Sequence, residues 1–101
     1  MVVISDTSTI ANLIQINRLA LLRRIFEFII IPTSVNAEIV RLDELGFDLQ
    51  EYHGATWISI QAPVDIEKVK ALRKKIDRGE SEAIILAEEL EADLLIIDER
   101  L

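Results

Sequence analysis

Four short, mostly apolar runs punctuate this chain, and a stretch patterned for helix separates each from the next. The runs are Val2-Val3-Ile4-Ser5, Phe28-Ile29-Ile30-Ile31, Trp57-Ile58-Ser59-Ile60 and Leu94-Leu95-Ile96-Ile97. Strands alternating with helical patterns indicate crossover units and a parallel sheet. Strands so uniformly apolar suit a sheet covered on both faces. The predicted architecture is α/β: a three-layer α/β/α sandwich around a mainly parallel sheet of about four strands. With 101 residues, half of them hydrophobic, the chain is one domain over 1–101 with enough apolar material for a core.

Helix signals fill the intervals. Ser8 is a candidate N-cap for Ile10, Leu13, Ile14 and Ile16, and Leu19, Leu22, Ile25 and Phe26 continue the spacing after Asn17. Pro32 stops the second strand, and with Ser34 as a possible cap it opens a helix to about Leu45, where Gly46 ends it. Residues 46–56 read as loop. After Pro63, Ile66, Val69, Leu72 and Ile76 form one stripe of a helix, and Lys68, Lys70, Arg73, Lys74 and Lys75 the other. Gly79 separates it from a further helix over roughly 80–91.

Composition closes several routes. Without cysteine there is no disulfide and no thiolate zinc site, and one histidine, His53, cannot build a multi-imidazole centre. The apolar runs fall far short of the ~20 residues a membrane helix needs, and the N-terminus has no signal-peptide pattern. A cytoplasmic protein without membrane contact is expected. No Ser/His/Asp set and no Gly-rich phosphate loop is present. A formal charge of −7 opposes non-specific binding to nucleic acid. An ion held by acids nevertheless binds phosphate locally, because it is the largest charge in its site.

Two strands run directly into aspartates, Asp6 and Asp98. In parallel sheets ligands bind outside the carboxyl ends of the strands. A carboxylate after four residues of buried strand needs a partner or an ion. The plainer reading of Asp6 is a helix N-cap, although Thr7 and Ser8 also serve for that. Glu38 falls on the face of its helix marked by Val35, Ile39 and Leu42; a boundary residue reaching water is the alternative. Glu80 and Glu82 open a helix whose next residues, 83–87, are apolar. Acids in a first turn are favoured by the helix dipole alone. Glu82 abuts the apolar run and is the stronger ligand candidate of the two. Asp98 repeats the Asp6 pattern, with Glu99 and Arg100 beside it. Four acids at four apolar boundaries are the oxygen-donor set that suits Mg²⁺ or Mn²⁺.

The motifs resemble those of PIN domains. Val-Val-Ile-Ser-Asp-Thr-Ser at the start is similar to their first strand, which ends in Asp. Residues 31–38, Ile-Pro-Thr-Ser-Val-Asn-Ala-Glu, resemble their Pro-started helix bearing a Glu. Gly79-Glu80-Ser81-Glu82-Ala83-Ile84 and Leu94-Leu95-Ile96-Ile97-Asp98 resemble the third and fourth motifs, in family order. The resemblance implies a Mg²⁺- or Mn²⁺-dependent endoribonuclease, as in VapC-type toxins of toxin–antitoxin pairs. It makes Asp6, Glu38, Glu82 and Asp98 the catalytic metal ligands, with Ser8 and Glu80 as weaker candidates. Implied partners are single-stranded RNA and an antitoxin protein. Members usually continue into one more strand and helix, so a C-terminally shortened domain is expected, with an open strand edge that a homodimer would cover.

Two further classes compete. A catalytically impaired PIN-like remnant would serve as a protein-binding or dimerisation module. A receiver-like phosphoacceptor would need a Lys after a late strand, and no strand here ends in Lys. The basic residues of 68–78 either steer substrate or form a solvated helix face.

Overall fold

The structure, a computed structural model, describes residues 1–98. Glu99 and Arg100, the sequence neighbours of Asp98, and Leu101 lie outside the described residues. In chain order the elements are β1 (Val3–Ser5), α1 (Thr7–Gln15), α2 (Ala20–Phe26), β2 (Ile29–Pro32) and α3 (Thr33–Val40). A 3₁₀ segment (Arg41–Leu45) and the single-turn α4 (Gln50–His53) lead to β3 (Ile58–Gln61). Then come α5 (Ile66–Leu72), α6 (Arg78–Glu89) and β4 (Leu94–Ile96).

The sheet has four strands in the order β3-β2-β1-β4, and every pair is parallel. Ile4 pairs with Ile30 on one side and with Leu95 on the other. The chain thus steps outward from β1 through β2 to β3, then returns to lie on the far side of β1. That reversal falls between β1 and β4, and a reversal in strand order is where the carboxyl ends of a parallel sheet open into a crevice. Asp6 and Asp98 follow these two strands.

Strand side chains alternate between the layers. Val3, Ile29 and Ile31 meet Ile10 and Ile14 of α1, Leu22 of α2, and Val35 and Ile39 of α3 in the larger cluster. Ile4 projects to the opposite face and packs with Ala83 and Leu86 of α6. All of these are buried, and the three-layer expectation holds.

Local departures from the predicted elements have identifiable causes. The helix after Asp6 does not run unbroken to Phe26: Asn17 takes φ 56°, its N–H donating to Ile14 and that of Arg18 to Leu13. This is a Schellman ending with Asn in the usual glycine position. Ser8 and Ser34 are not caps but lie inside α1 and α3, whose N-cap positions are Asp6 and Pro32. Pro32 belongs to β2 as its last residue, and the helix it precedes tightens into the 3₁₀ segment after Val40 rather than running to Leu45. Residues 46–56 contain α4, so they are not loop throughout. Gly79 is no separator; it lies in the first turn of α6. Of the predicted apolar stripe on α5 only Val69 is buried, while Ile66 is 52% exposed. α5 is packed mainly on α6, which covers one narrow line of it.

Candidate functional site

Asp6 occupies the N-cap position of α1 with extended backbone, yet its side chain makes no capping hydrogen bond. It accepts instead from across the sheet: the Asp98 N–H donates to Asp6 Oδ2 at 3.0 Å. The Asp6 N–H donates to the Ile96 carbonyl at 3.0 Å, which extends the β1–β4 ladder past the strand ends. Asp6 is 2% exposed, and among the described residues its Oδ1 has no hydrogen-bond partner. Burial raises its pKa above the ordinary 3.8, and the nearby Asp98 and Asp77 carboxylates add to the rise. The Asp98 amide acts in the opposite direction, as does the nearby Thr9 amide, which does not meet hydrogen-bond geometry with the carboxylate. An orphaned oxygen on a buried carboxylate costs about 1–3 kcal/mol or more. A cation is the group that reverses that cost.

Glu38 stands one turn beyond Ser34 on α3 and is exposed as a residue, so the inward placement expected from the stripe is not what is seen. Its carboxylate rests against α6. A Cβ at Gly79 would lie 2.9 Å from Glu38 Oε1 and 3.4 Å from Thr7 Oγ1, closer than a side chain tolerates for the first. Gly79 therefore leaves the space that Glu38 uses. Asp6, Thr7, Ser8, Glu38, Asp77 and Glu80 line one small cavity of about 70 Å³. That is room for roughly two waters' share of liquid volume, or an ion with little of its hydration. It adjoins a wider crevice of about 750 Å³ that shares Ser8, Asp77 and Glu80 and adds Ile97 and Asp98.

Glu82 has a different setting. It is 5% exposed, and its Oε1 accepts from the Ser34 N–H at 3.2 Å and from Thr33 Oγ1 at 3.4 Å. Arg78 Nε donates to its Oε2 at 3.1 Å. Pro32 offers α3 no side-chain cap, so a carboxylate from α6 takes that position and ties the two helices together. Thus the structure gathers Asp6, Glu38, Glu80 and Asp98, with Ser8, around one crevice, and sets Glu82 beside it at the start of α3.

Asp77 escaped the sequence reading. It caps α6 by accepting from the Glu80 N–H at 2.8 Å, and it lines the crevice beside Glu80. The signal was present: Asp77-Arg78-Gly79-Glu80 has the capping-box spacing. The role of Gly79 was also hidden, because a glycine next to a helix start reads as a boundary.

The donor set is entirely carboxylate and hydroxyl oxygen, the chemistry of a hard divalent ion. Among the described residues no three acidic or imidazole side chains already converge on one point. Facing carboxylates repel, and an ion between them changes the sign. The orphaned Asp6 oxygen and the space kept by Gly79 make the residues a fit for such an ion.

Fold and site together define an α/β protein with an acidic crevice at the switch point of a parallel sheet. A family model described as a PIN domain matches residues 2–101, and the chain belongs to that family. The fold is therefore of nuclease type, in a family that generally uses divalent metals. No curated protein and no solved structure matches the chain. Among the described residues no helix is long and apolar enough to cross a membrane.

Proposed function

We propose that this protein is a Mg²⁺- or Mn²⁺-dependent endoribonuclease of the VapC type, acting on single-stranded RNA. The observation that carries the reading is the meeting of Asp6, Glu38 and Glu80 on one cavity, with Asp6 Oδ1 buried and unpartnered. In this reading Asp6, Glu38, Glu80 and Asp98 hold the ion, Ser8 orients a ligand or water, and Glu82 braces α3 against α6.

A divalent ion bound there supplies Lewis acidity towards a phosphoryl oxygen and a water of lowered pKa. The chain's own contribution is placement. The β1–β4 ladder fixes Asp6 and Asp98 side by side, the Glu82 brace fixes the start of α3 and hence Glu38, and Asp77 fixes the first turn of α6 and hence Glu80. Apolar Ile76, Ile84 and Ile97 wall the wider crevice and limit water around a bound phosphodiester.

The test is cleavage of a labelled single-stranded RNA with Mn²⁺ or Mg²⁺, by wild type and by Asp6→Asn. Metal-dependent cleavage that Asp6→Asn lacks supports the reading. Equal activity in both proteins, or none in either, contradicts it.

One observation favours the impaired-module alternative: no three acids converge among the described residues. Calorimetry with Mn²⁺ separates the two, since a module without a working site takes up no ion. The VapC-type reading also includes an antitoxin partner, a cytoplasmic setting and a homodimer. The edge position of β4 and the exposure of Leu94 support the last, which light scattering tests.

A further inference from the structure

The crevice poses an electrostatic problem for its proposed substrate. The described residues lining it include Asp6, Glu38, Asp77, Glu80 and Asp98, with no lysine or arginine among those described. The chain as a whole carries −7. One ion neutralises the phosphate it contacts, and a cationic side chain close to the crevice would hold a neighbouring phosphate of an RNA strand.

Arg78 is placed for this. It lies in the first turn of α6 between two crevice residues, Asp77 and Glu80, and its side chain is 60% exposed. Its Nε is bound to Glu82, a carboxylate itself fixed by the Ser34 N–H and Thr33 Oγ1. Among the described residues neither Nη makes a hydrogen bond or ion pair. One edge of the guanidinium is therefore anchored to a buried group, and the other remains for a ligand. Guanidinium presents paired N–H donors that match phosphate oxygens. Through Glu82, which Thr33 and Ser34 hold just after β2, Arg78 is tied to the β2 side of the crevice, whereas Asp98 marks the β4 side.

Resting on the nuclease reading above, we propose that Arg78 is a substrate-binding residue that grips an RNA phosphate next to the scissile one, held in position by Glu82. The RNA strand then crosses the carboxyl ends of β4, β1 and β2.

The test is binding of a fluorescein-labelled single-stranded oligouridylate in EDTA, where cleavage cannot occur, across a salt series. It uses wild type, Arg78→Gln, Arg78→Lys and, as a control, Arg23→Gln on α2. Manganese affinity and thermal midpoint are measured on the same proteins. Arg78→Gln is expected to weaken RNA binding about tenfold at low salt. It should flatten the slope of log K against log salt by about 0.7, one phosphate contact on a single strand. Arg78→Lys keeps the slope but binds more weakly than wild type, because it lacks the fork. Arg23→Gln matches wild type, and Mn²⁺ affinity is unchanged in Arg78→Gln. Unchanged RNA affinity in Arg78→Gln overturns the assignment while leaving the nuclease reading intact. Parallel loss of RNA affinity, Mn²⁺ affinity and thermal midpoint in Arg78→Gln and Arg78→Lys also overturns it, since that pattern belongs to a purely structural ion pair. A wild type that binds no RNA overturns the assignment, and the metal-dependent cleavage test decides the nuclease reading separately.

Discussion

Asp6 is the residue whose placement makes least sense without a ligand. Its raised pKa, caused first by burial, means that the folded chain holds this proton more tightly than the unfolded chain does. Folding then takes up a proton between the ordinary carboxylate pKa and the raised one. Stability declines as pH rises through that window, and the penalty is fully present above it. Asp6→Asn removes the penalty. In metal-free buffer at pH 7 the variant should be more stable than wild type by about 0.5–2 kcal/mol, the range of gains at strained functional sites. The two should converge below the ordinary carboxylate pKa, and denaturant titrations at two pH values check both statements. Gly79 supplies a second single-residue test. Gly79→Ala gains helix propensity of about 0.5–1 kcal/mol but pushes the flexible Glu38 carboxylate aside. A neutral or raised melting temperature is expected together with Mn²⁺ affinity weakened about 10–100-fold, the usual cost of disturbing groups that support a metal ligand.

At the scale of elements, the site depends on how α6 meets the starts of α1 and α3. Glu82 links α6 to α3, so its truncation is a fold prediction before it is a functional one. Glu82→Ala leaves the Ser34 N–H without its acceptor and Arg78 without its anchor, and should cost about 1–3 kcal/mol in stability. Glu80→Gln removes charge from the crevice itself. It should weaken Mn²⁺ binding more than Glu82→Gln does; calorimetry ranks the pair. Much of this was legible in the sequence. Four strand runs and the intervening periodicities specify the parallel sheet, and Asp6, Glu38 and Asp98 are visible as acids at apolar boundaries, with Glu80 ranked below Glu82. The relative standing of Glu80 and Glu82 was not. Both occupy one helical turn, and which of them faces the crevice depends on the rotation of α6 against α3, a tertiary fact. Nor does one-dimensional spacing show that a carboxylate from α6 caps a helix 48 residues earlier in the chain.

For the whole molecule, the acidic surface and the acidic crevice act together. The ionised Asp6 carboxylate opposes folding through its burial, and an ion bound to the folded state alone must raise stability. At a Mn²⁺ concentration 100 times its dissociation constant the gain is about 2.7 kcal/mol, by mass action. For a domain of this size each kcal/mol corresponds to about 4–8 °C in melting temperature. Wild type should show that rise, and Asp6→Asn should show little of it despite its higher starting point. The exposure of Ile66, against a stripe that reads as core, belongs to this scale as well. An amphipathic stripe announces a face to be covered, but how much neighbouring structure covers it is decided by the assembly of layers.

Anomalous diffraction from a Mn²⁺-soaked crystal tests the central claim most directly. The predicted result is an anomalous peak in the cavity between Asp6, Glu38 and Glu80, within coordination distance of Asp6 Oδ1, with Glu82 still holding Ser34 and Arg78. A peak bound by Glu82 instead, or an empty cavity at millimolar Mn²⁺, would contradict it.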